Sequence, residues 1–211
     1  MRGPLAKWLI TLTIFFGVPA ALVWGFMPFL DMSHATYLSA QGDYHDALRA
    51  VNRAISFNGN LGSAYDRRGF LYYKLNQYDK ALADFDRALA LNDSDWEAYN
   101  NRAWVYAHMP GGELARALSE ANRAVSLRSD AASAYDTRGY VELKMGDLDK
   151  ARIDFNRAIE LDGRLAECYS HRAEVYDALN QPDLARADRR QAKRLGYFGD
   201  DLSSPASSGS T

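Results

Sequence analysis

The chain has a single cysteine, Cys168, and this scarcity excludes several kinds of site. A lone thiol cannot form an internal disulfide, nor can it supply a centre that needs several thiolates. Neither sign of charge dominates, since Lys plus Arg total 25 and Asp plus Glu total 27. A formal net charge of -2 gives no overall attraction to nucleic acid, so we expect no nucleic-acid partner.

Signatures of catalysis are also lacking. The four histidines (His34, His45, His108 and His171) do not form pairs at metal-ligand spacing on one helix face. The chain contains no glycine-rich phosphate loop and no serine in a nucleophile elbow. We therefore expect no catalytic residues, no metal, no cofactor and no enzyme activity.

Uncharged residues fill the stretch from Trp8 to Leu30. A helix of that length extends about 35 Å, enough to cross a bilayer core of about 30 Å. Arg2 and Lys7 precede it, so the positive-inside rule places residues 1–7 in the cytoplasm as a short stub. The sequence thus predicts one transmembrane signal anchor over 8–30. A cleaved signal peptide, cut after Val18-Pro19-Ala20, is the alternative.

Beyond Leu30 the sequence repeats itself. Four segments align, with starts 34, 36 and 34 residues apart: Tyr65-Asp-Arg-Arg-Gly69, Tyr99-Asn-Asn-Arg-Ala103, Tyr135-Asp-Thr-Arg-Gly139 and Tyr169-Ser-His-Arg-Ala173. Two alanine series keep the same spacing and extend it to five copies: Ala47, Ala81, Ala117, Ala151 and Ala185, then Ala54, Ala88, Ala124, Ala158 and Ala192. Such a period is typical of stacked helical hairpins, which bury their apolar faces only against one another.

This pattern resembles the tetratricopeptide repeat family, whose small, aromatic and small positions fall on Gly69, Tyr72, Ala81, Phe85 and Ala88. The resemblance implies an all-α fold, a right-handed α-α superhelix of about five hairpins that follows the transmembrane helix. The repeat domain is expected over 31–198, with repeats at about 28–61, 62–95, 96–131, 132–165 and 166–198. Residues 199–211 are rich in serine and glycine and are expected to form a disordered tail.

An arginine precedes each small residue of the first helices, and a carboxylate recurs in each second helix. We predict that the two side chains bridge each hairpin, because the planar fork of arginine can hold a carboxylate with two hydrogen bonds. The first repeat lacks both, having His34 and Ala50 instead. The alternative pairs each carboxylate with the arginine three residues on, such as Arg87 or Arg157. The predicted bridges are Arg68 with Asp84, Arg102 with Glu120, Arg138 with Asp154, and Arg172 with Asp188.

The family resemblance implies that the first helices line a concave groove, which would hold a protein or peptide partner. Aromatic residues are common in binding hot spots, although the same rings can instead pack between adjacent repeats. The groove does not match the family's clamp for C-terminal carboxylates, so we expect a peptide with apolar anchors and some basic residues. The predicted groove residues are Asp66, Phe70, Tyr73, Asn100, Trp104, His108, Asp136, Tyr140 and Lys144.

The last predicted helix is strongly basic, with Arg186, Arg189, Arg190, Lys193 and Arg194. It is interpreted as the polar cap that terminal repeats need, or as a docking surface for an anionic partner or for lipid headgroups. Together these features predict a scaffold held in the inner membrane, with its repeats in the periplasm and a protein partner. The alternatives are an exported soluble chaperone or an assembly factor of a secretion, pilus or cell-wall complex. The sequence does not predict the oligomeric state.

Overall fold

The computed structural model describes residues 20–197, with side chains from residue 27 onward. Over that range every regular element is an α-helix, and there are ten of them. The chain divides into two compact units, one ending at Asp93 and the other beginning at Ser94. The described residues therefore have the all-α, hairpin-based architecture that the repeat period predicts.

Each unit consists of antiparallel helical hairpins. In the first unit, α1 pairs with α2 and α3 pairs with α4. In the second unit the pairs are α5 with α6, α7 with α8, and α9 with α10, and successive hairpins also pack on each other. The bounds are Ala20–Ala40 (α1), Tyr44–Phe57 (α2), Gly62–Lys74 (α3), Tyr78–Leu91 (α4), Trp96–His108 (α5), Leu114–Leu127 (α6), Ala132–Met145 (α7), Leu148–Leu161 (α8), Ala166–Ala178 (α9) and Pro182–Arg194 (α10).

Glycine and asparagine form the turns within the hairpins. Gly42, Asn76, Gly146 and Asn180 all have left-handed φ angles, between 56° and 85°. Glycine and asparagine adopt this conformation at little cost, which lets the chain reverse directly after a helix. The longer turn of the third hairpin uses two such residues, Gly111 and Gly112, and accounts for its two extra residues.

Small residues bring the two helices of each hairpin together. Both alanine series are buried at every position. A Cβ added at Gly139 would lie 2.9 Å from the Phe155 ring, and one added at Gly69 would lie 2.8 Å from Phe85. The third repeat has Ala103 at this position, and there Ala121 replaces the ring. The close approach thus requires glycine where the facing residue is phenylalanine.

At the N-terminal end, α1 runs without a break across the predicted boundary at residue 30. Of the helices between residues 20 and 197, none combines the length and the apolar character that crossing a bilayer requires. The predicted stub at 1–7, the larger part of the predicted membrane segment at 8–30, and the predicted tail at 199–211 lie outside the described residues.

Candidate partner-binding groove and the arginine bridges that shape it

In four hairpins an arginine of the first helix holds a carboxylate of the second. Arg138 Nε and Nη2 donate to the two oxygens of Asp154 at 2.6 and 2.8 Å, and the Asp154 side chain is only 5% exposed. The hydrogen bond to Asp154 raises the pKa of Arg138. Equivalent contacts join Arg68 to Asp84, Arg172 to Asp188, and Arg102 to a single oxygen of Glu120. The structure thus brings together every arginine and carboxylate of the predicted set.

The carboxylates do not pair with the arginine three residues on along their own helix, which was the alternative. Arg157 donates to Glu160 at 3.1 Å instead of to Asp154. Arg87 lies over the ring of Tyr65, 5.8 Å from its centroid. The second-helix arginines therefore have other contacts, and the carboxylates are left to the first-helix arginines.

Each of three bridging arginines also reaches the hairpin before its own. Arg138 Nη1 donates to Asn122 Oδ1 at 3.2 Å, and Asn122 lies on α6. Arginine can do this because its guanidinium carries five donors, of which the carboxylate uses two. The same contact joins Arg68 to Asn52 and Arg172 to Asn156. These asparagines lie at equivalent repeat positions but were not among the predicted bridging residues.

The first hairpin, which lacks the arginine and the carboxylate of the usual positions, has a bridge of reversed polarity. Arg53 on α2 donates through Nε and Nη2 to Asp31 Oδ1 on α1, at 3.0 and 2.8 Å. Asp31 occupies the repeat position that is tyrosine in the other four. His34 and Ala50 occupy the usual positions, but a carboxylate one turn before His34 forms a cross-helix pair.

In the first unit, the predicted groove residues Phe70 and Tyr73 lie beneath a cation of their own helix. Lys74 Nζ is 5.5 Å from the Phe70 ring centroid and 5.8 Å from that of Tyr73. Tyr73 also contacts Tyr78 of α4, with ring centroids 6.2 Å apart. Asp66, one turn before Phe70, is half-buried. These rings are thus partly covered within the first unit.

In the second unit, four rings from three first helices meet in one place, which we call the aromatic cluster: Trp104, His108, Tyr140 and His171. His108 and Tyr140 stack almost parallel, with centroids 4.7 Å apart and an interplanar angle of 4°. Trp104 lies 4.1 Å from His108 and 4.8 Å from Tyr140. The cluster therefore joins α5, α7 and α9, and three of its rings were predicted groove residues.

Packing between repeats and partial exposure coexist in this cluster. Trp104, His108 and Tyr140 are half-buried, whereas His171 is 7% exposed. Lys144 Nζ lies 4.9 Å from the Tyr140 ring centroid. One turn before Trp104, Asn100 Oδ1 is buried and accepts no hydrogen bond from the described residues. The half-buried rings thus form a surface next to polar and charged groups.

Asp136 forms a buried pair with His171, the most buried ring of the cluster. His171 Nδ1 is 3.0 Å from Asp136 Oδ1, and the His171 ring also contacts Tyr140 at 5.0 Å and Phe155 at 5.8 Å. Burial acts to lower the pKa of His171, but the charge and hydrogen bond of Asp136 outweigh it, so this pKa is raised. Sequence reasoning placed Asp136 in the groove but missed His171, because no other repeat has a histidine there.

The tetratricopeptide repeat family matches residues 62–95 and 132–165, which are the second and fourth predicted repeats. Solved tetratricopeptide structures share the fold over most of this chain. The chain therefore carries tetratricopeptide repeats. A comparison with curated proteins gave no match.

Three solved structures show the likeness of this tetratricopeptide protein to others. TTC0263 from Thermus thermophilus is 24% identical, with a TM-score of 0.74 over 80% of this chain and 91% of its own. PilW, described as a widely conserved type IV pilus biogenesis factor, is 18% identical, with a TM-score of 0.70 over 80% and 77%. YrrB, described as having an unusual peptide-binding site, is 21% identical, with a TM-score of 0.54 over 79% and 84%. At such identities the likeness is one of fold.

Glu142 departs from the repeat pattern of this tetratricopeptide protein. Tyr72, Tyr106 and Tyr176 occupy its position in other repeats, and two of those rings flank a bridging arginine. Glu142 is 7% exposed, and its Oε2 accepts no hydrogen bond from the described residues. Burial, followed by the charge of Asp154, raises its pKa to about 7. A buried carboxyl therefore lies beside a bridge that already has its own carboxylate.

Replacing Glu142 with glutamine is expected to stabilise the protein at pH 8 but not at pH 5. When folding raises the pKa of a carboxyl, the folded protein loses stability as the pH rises from the unfolded pKa, about 4.3, through the folded pKa, about 7. Arg138 and Lys150 favour its charged form, whereas Asp154 and Asp147 oppose it. We expect a gain of about 1–2 kcal/mol at pH 8. Urea unfolding at the two pH values measures it, and equal effects at both would refute the assignment.

Cys168 is packed in the core of the last hairpins. Its side chain is fully buried, and Sγ donates to the carbonyl oxygen of Phe155 at 3.4 Å. Burial raises the pKa of this thiol well above its usual range, so it stays protonated and is not a nucleophile. In the part of the chain that the structure describes, no three His, Cys, Asp or Glu side chains converge as metal ligands.

Proposed function

We propose that this protein is a membrane-anchored scaffold whose second unit binds a peptide segment of a partner across the aromatic cluster. The observation that supports it is the meeting of Trp104, His108 and Tyr140 on successive first helices, half-buried and adjacent to Lys144. Rigid aromatic rings offer large contact area at small entropic cost, which suits a binding surface.

Charge near the cluster favours a partner segment with basic residues. Glu167 and Glu174 are exposed on α9, and both act electrostatically on His171. Complementary charge contributes to selectivity and association rate more than to affinity, so apolar anchors on the rings supply most of the binding energy.

The groove proposal is tested by replacing Trp104 with alanine. Removing a central aromatic typically costs about 2 kcal/mol of binding, which is about thirtyfold in affinity. Crosslinked capture from membranes, followed by mass spectrometry, is expected to lose its main protein partner. Tyr106→Ala is the matched control, because Tyr106 lies on the same helix but contacts Arg116 of α6. Equal capture by folded Trp104→Ala and wild type would refute the proposal.

We further propose that residues 8–30 anchor the protein in the inner membrane, with the repeats in the periplasm. The support is the uncharged stretch Trp8–Leu30 behind Arg2 and Lys7. Alkaline phosphatase fused after Leu195 is expected to be active, and inactivity would show the opposite orientation. An N-terminal mass that begins at Ala21 would show a cleaved signal peptide and an exported soluble binding protein instead.

A second candidate function is assembly of an envelope complex such as a pilus. It is favoured by the fold shared with PilW, a type IV pilus biogenesis factor. Cells that lack this protein would then lose surface pili, whereas normal pilus number would leave the general scaffold role. Both candidates need the same groove, so the Trp104→Ala variant should reproduce the deletion phenotype.

A further inference from the structure

The outer face of α10 occupies the position at which α6 and α8, the earlier second helices of the second unit, meet the next hairpin. At that position in the second unit, Asn122 accepts a hydrogen bond from Arg138 and Asn156 accepts one from Arg172. The equivalent residue of α10 is Arg190, 34 residues after Asn156. An acceptor has thus been replaced by a group that can only donate.

Three residues further along the same face, α10 again has a cation where the earlier second helices of the second unit have an apolar residue. Val125 packs with Ala134 of the following hairpin, and Ile159 packs in the cluster that contains Cys168. Lys193 occupies this position on α10, where it is exposed. The two positions that contact the following hairpin on α6 and α8 are therefore both cationic on α10, as Arg190 and Lys193.

Three cations of this face line one shallow cavity. Arg190, Lys193 and Arg194 surround a volume of about 390 Å³. Between residues 27 and 197 no carboxylate forms an ion pair with them, whereas Arg186 pairs with Asp183 and Arg189 pairs with Asp177. The charges of Arg186 and Arg189 are thus paired, whereas these three cations can bind an anionic group.

We propose that the outer face of α10, formed by Arg190, Lys193 and Arg194, docks an acidic segment of a partner protein in the place of a further hairpin. The two arginine forks can each hold a carboxylate with paired hydrogen bonds. A second copy of this chain is disfavoured, because the hairpin that it would stack here, its first, has His34 at the position facing Arg190, and its Asp31 is already paired with Arg53.

A membrane surface fits this face less well than an acidic segment. Stable adsorption of a polybasic segment takes roughly four to eight basic residues, at about 1 kcal/mol each, and only three unpaired cations are present. They also line a concavity, whereas a bilayer is flat. This surface is distinct from the aromatic cluster and does not depend on the proposed groove.

The test uses the full chain in an uncharged detergent and a fluorescent synthetic helix that carries glutamates at positions i, i+3 and i+4. Anisotropy is expected to show binding that weakens as salt rises, since exposed charge pairs are screened. The variant Arg190→Gln, Lys193→Gln, Arg194→Gln is expected to bind about tenfold more weakly. A peptide with glutamines in place of the glutamates is expected not to bind.

The control variant Arg116→Gln, Arg128→Gln, Arg164→Gln removes the same charge from exposed sites elsewhere in the second unit. Equal weakening by both variants would show mere net-charge attraction and overturn the proposal. If the protein instead binds phosphatidylglycerol vesicles and not the acidic peptide, and the α10 variant alone loses that vesicle binding, the face is assigned to lipid. Binding that appears only after truncation at Tyr197 would identify the chain's own tail as the occupant.

Discussion

Replacing Arg138 with leucine is expected to lower the free energy of unfolding by about 3 kcal/mol. The substitution leaves the Asp154 carboxylate buried, without its two charge-assisted hydrogen bonds, and breaking a buried pair from one side costs about 3–5 kcal/mol. The lower end applies because the Arg138 side chain is 22% exposed. Loss of the contact to Asn122 also loosens α7 from α6. Urea unfolding monitored by circular dichroism measures the change.

Arg157→Leu is the matched control, since Arg157 is exposed and its ion pair is with Glu160 of its own helix. It should change the free energy of unfolding by less than about 1 kcal/mol. The double variant Arg138→Leu, Asp154→Leu should regain part of the loss, because no uncompensated charge then remains buried. If Arg138→Leu were as mild as Arg157→Leu, the bridges would not stabilise the hairpins.

Gly139→Ala is expected to destabilise the protein by about 1 kcal/mol net, against the direction of helix propensity. In an exposed helix this change would stabilise by about 1 kcal/mol. Here the new Cβ would lie 2.9 Å from the Phe155 ring and 3.2 Å from the carbonyl oxygen of Ala151. Phe155 is fully buried and has no room to withdraw, so overpacking costs about 1–3 kcal/mol.

A second variant isolates the contact between residues 139 and 155. In a Phe155→Leu background the facing side chain is smaller, so Gly139→Ala should cost less than it does in the wild type. Thermal unfolding of the four proteins of this cycle gives the coupling between the two sites. Additive effects, or a stabilising Gly139→Ala, would show that the ring does not require glycine opposite it.

Most of the fold follows from the sequence because every repeat forms the same helical hairpin from the same pattern of residues. The alanine series predicts the close faces of the helices, and Gly42, Asn76, Gly146 and Asn180 predict the turns. Arg138 and Asp154 were matched because arginine and carboxylate recur together at one spacing. Periodicity therefore reveals whatever is repeated in every hairpin.

What sequence reasoning missed is what breaks the period or crosses between hairpins. The Asp31–Arg53 bridge uses a carboxylate at a position that is tyrosine in the other repeats, so alignment by position concealed it. His171 joins Asp136 across two hairpins, and that contact depends on how the hairpins rotate on each other. The sequence shows Glu142 as one carboxyl in a series of tyrosines. Its raised pKa, however, comes from burial, which only the structure shows.

The central claim, that a partner segment lies across the aromatic cluster, is tested most directly by photocrosslinking in intact cells. A photoreactive residue at Lys144, exposed beside Tyr140, is expected to give a discrete protein adduct that disappears with Trp104→Ala. The same residue at Ile153, 60% exposed on the second helix α8, is expected to give none. Adducts at Ile153 as strong as those at Lys144, or a Lys144 adduct unchanged by Trp104→Ala, would contradict the claim.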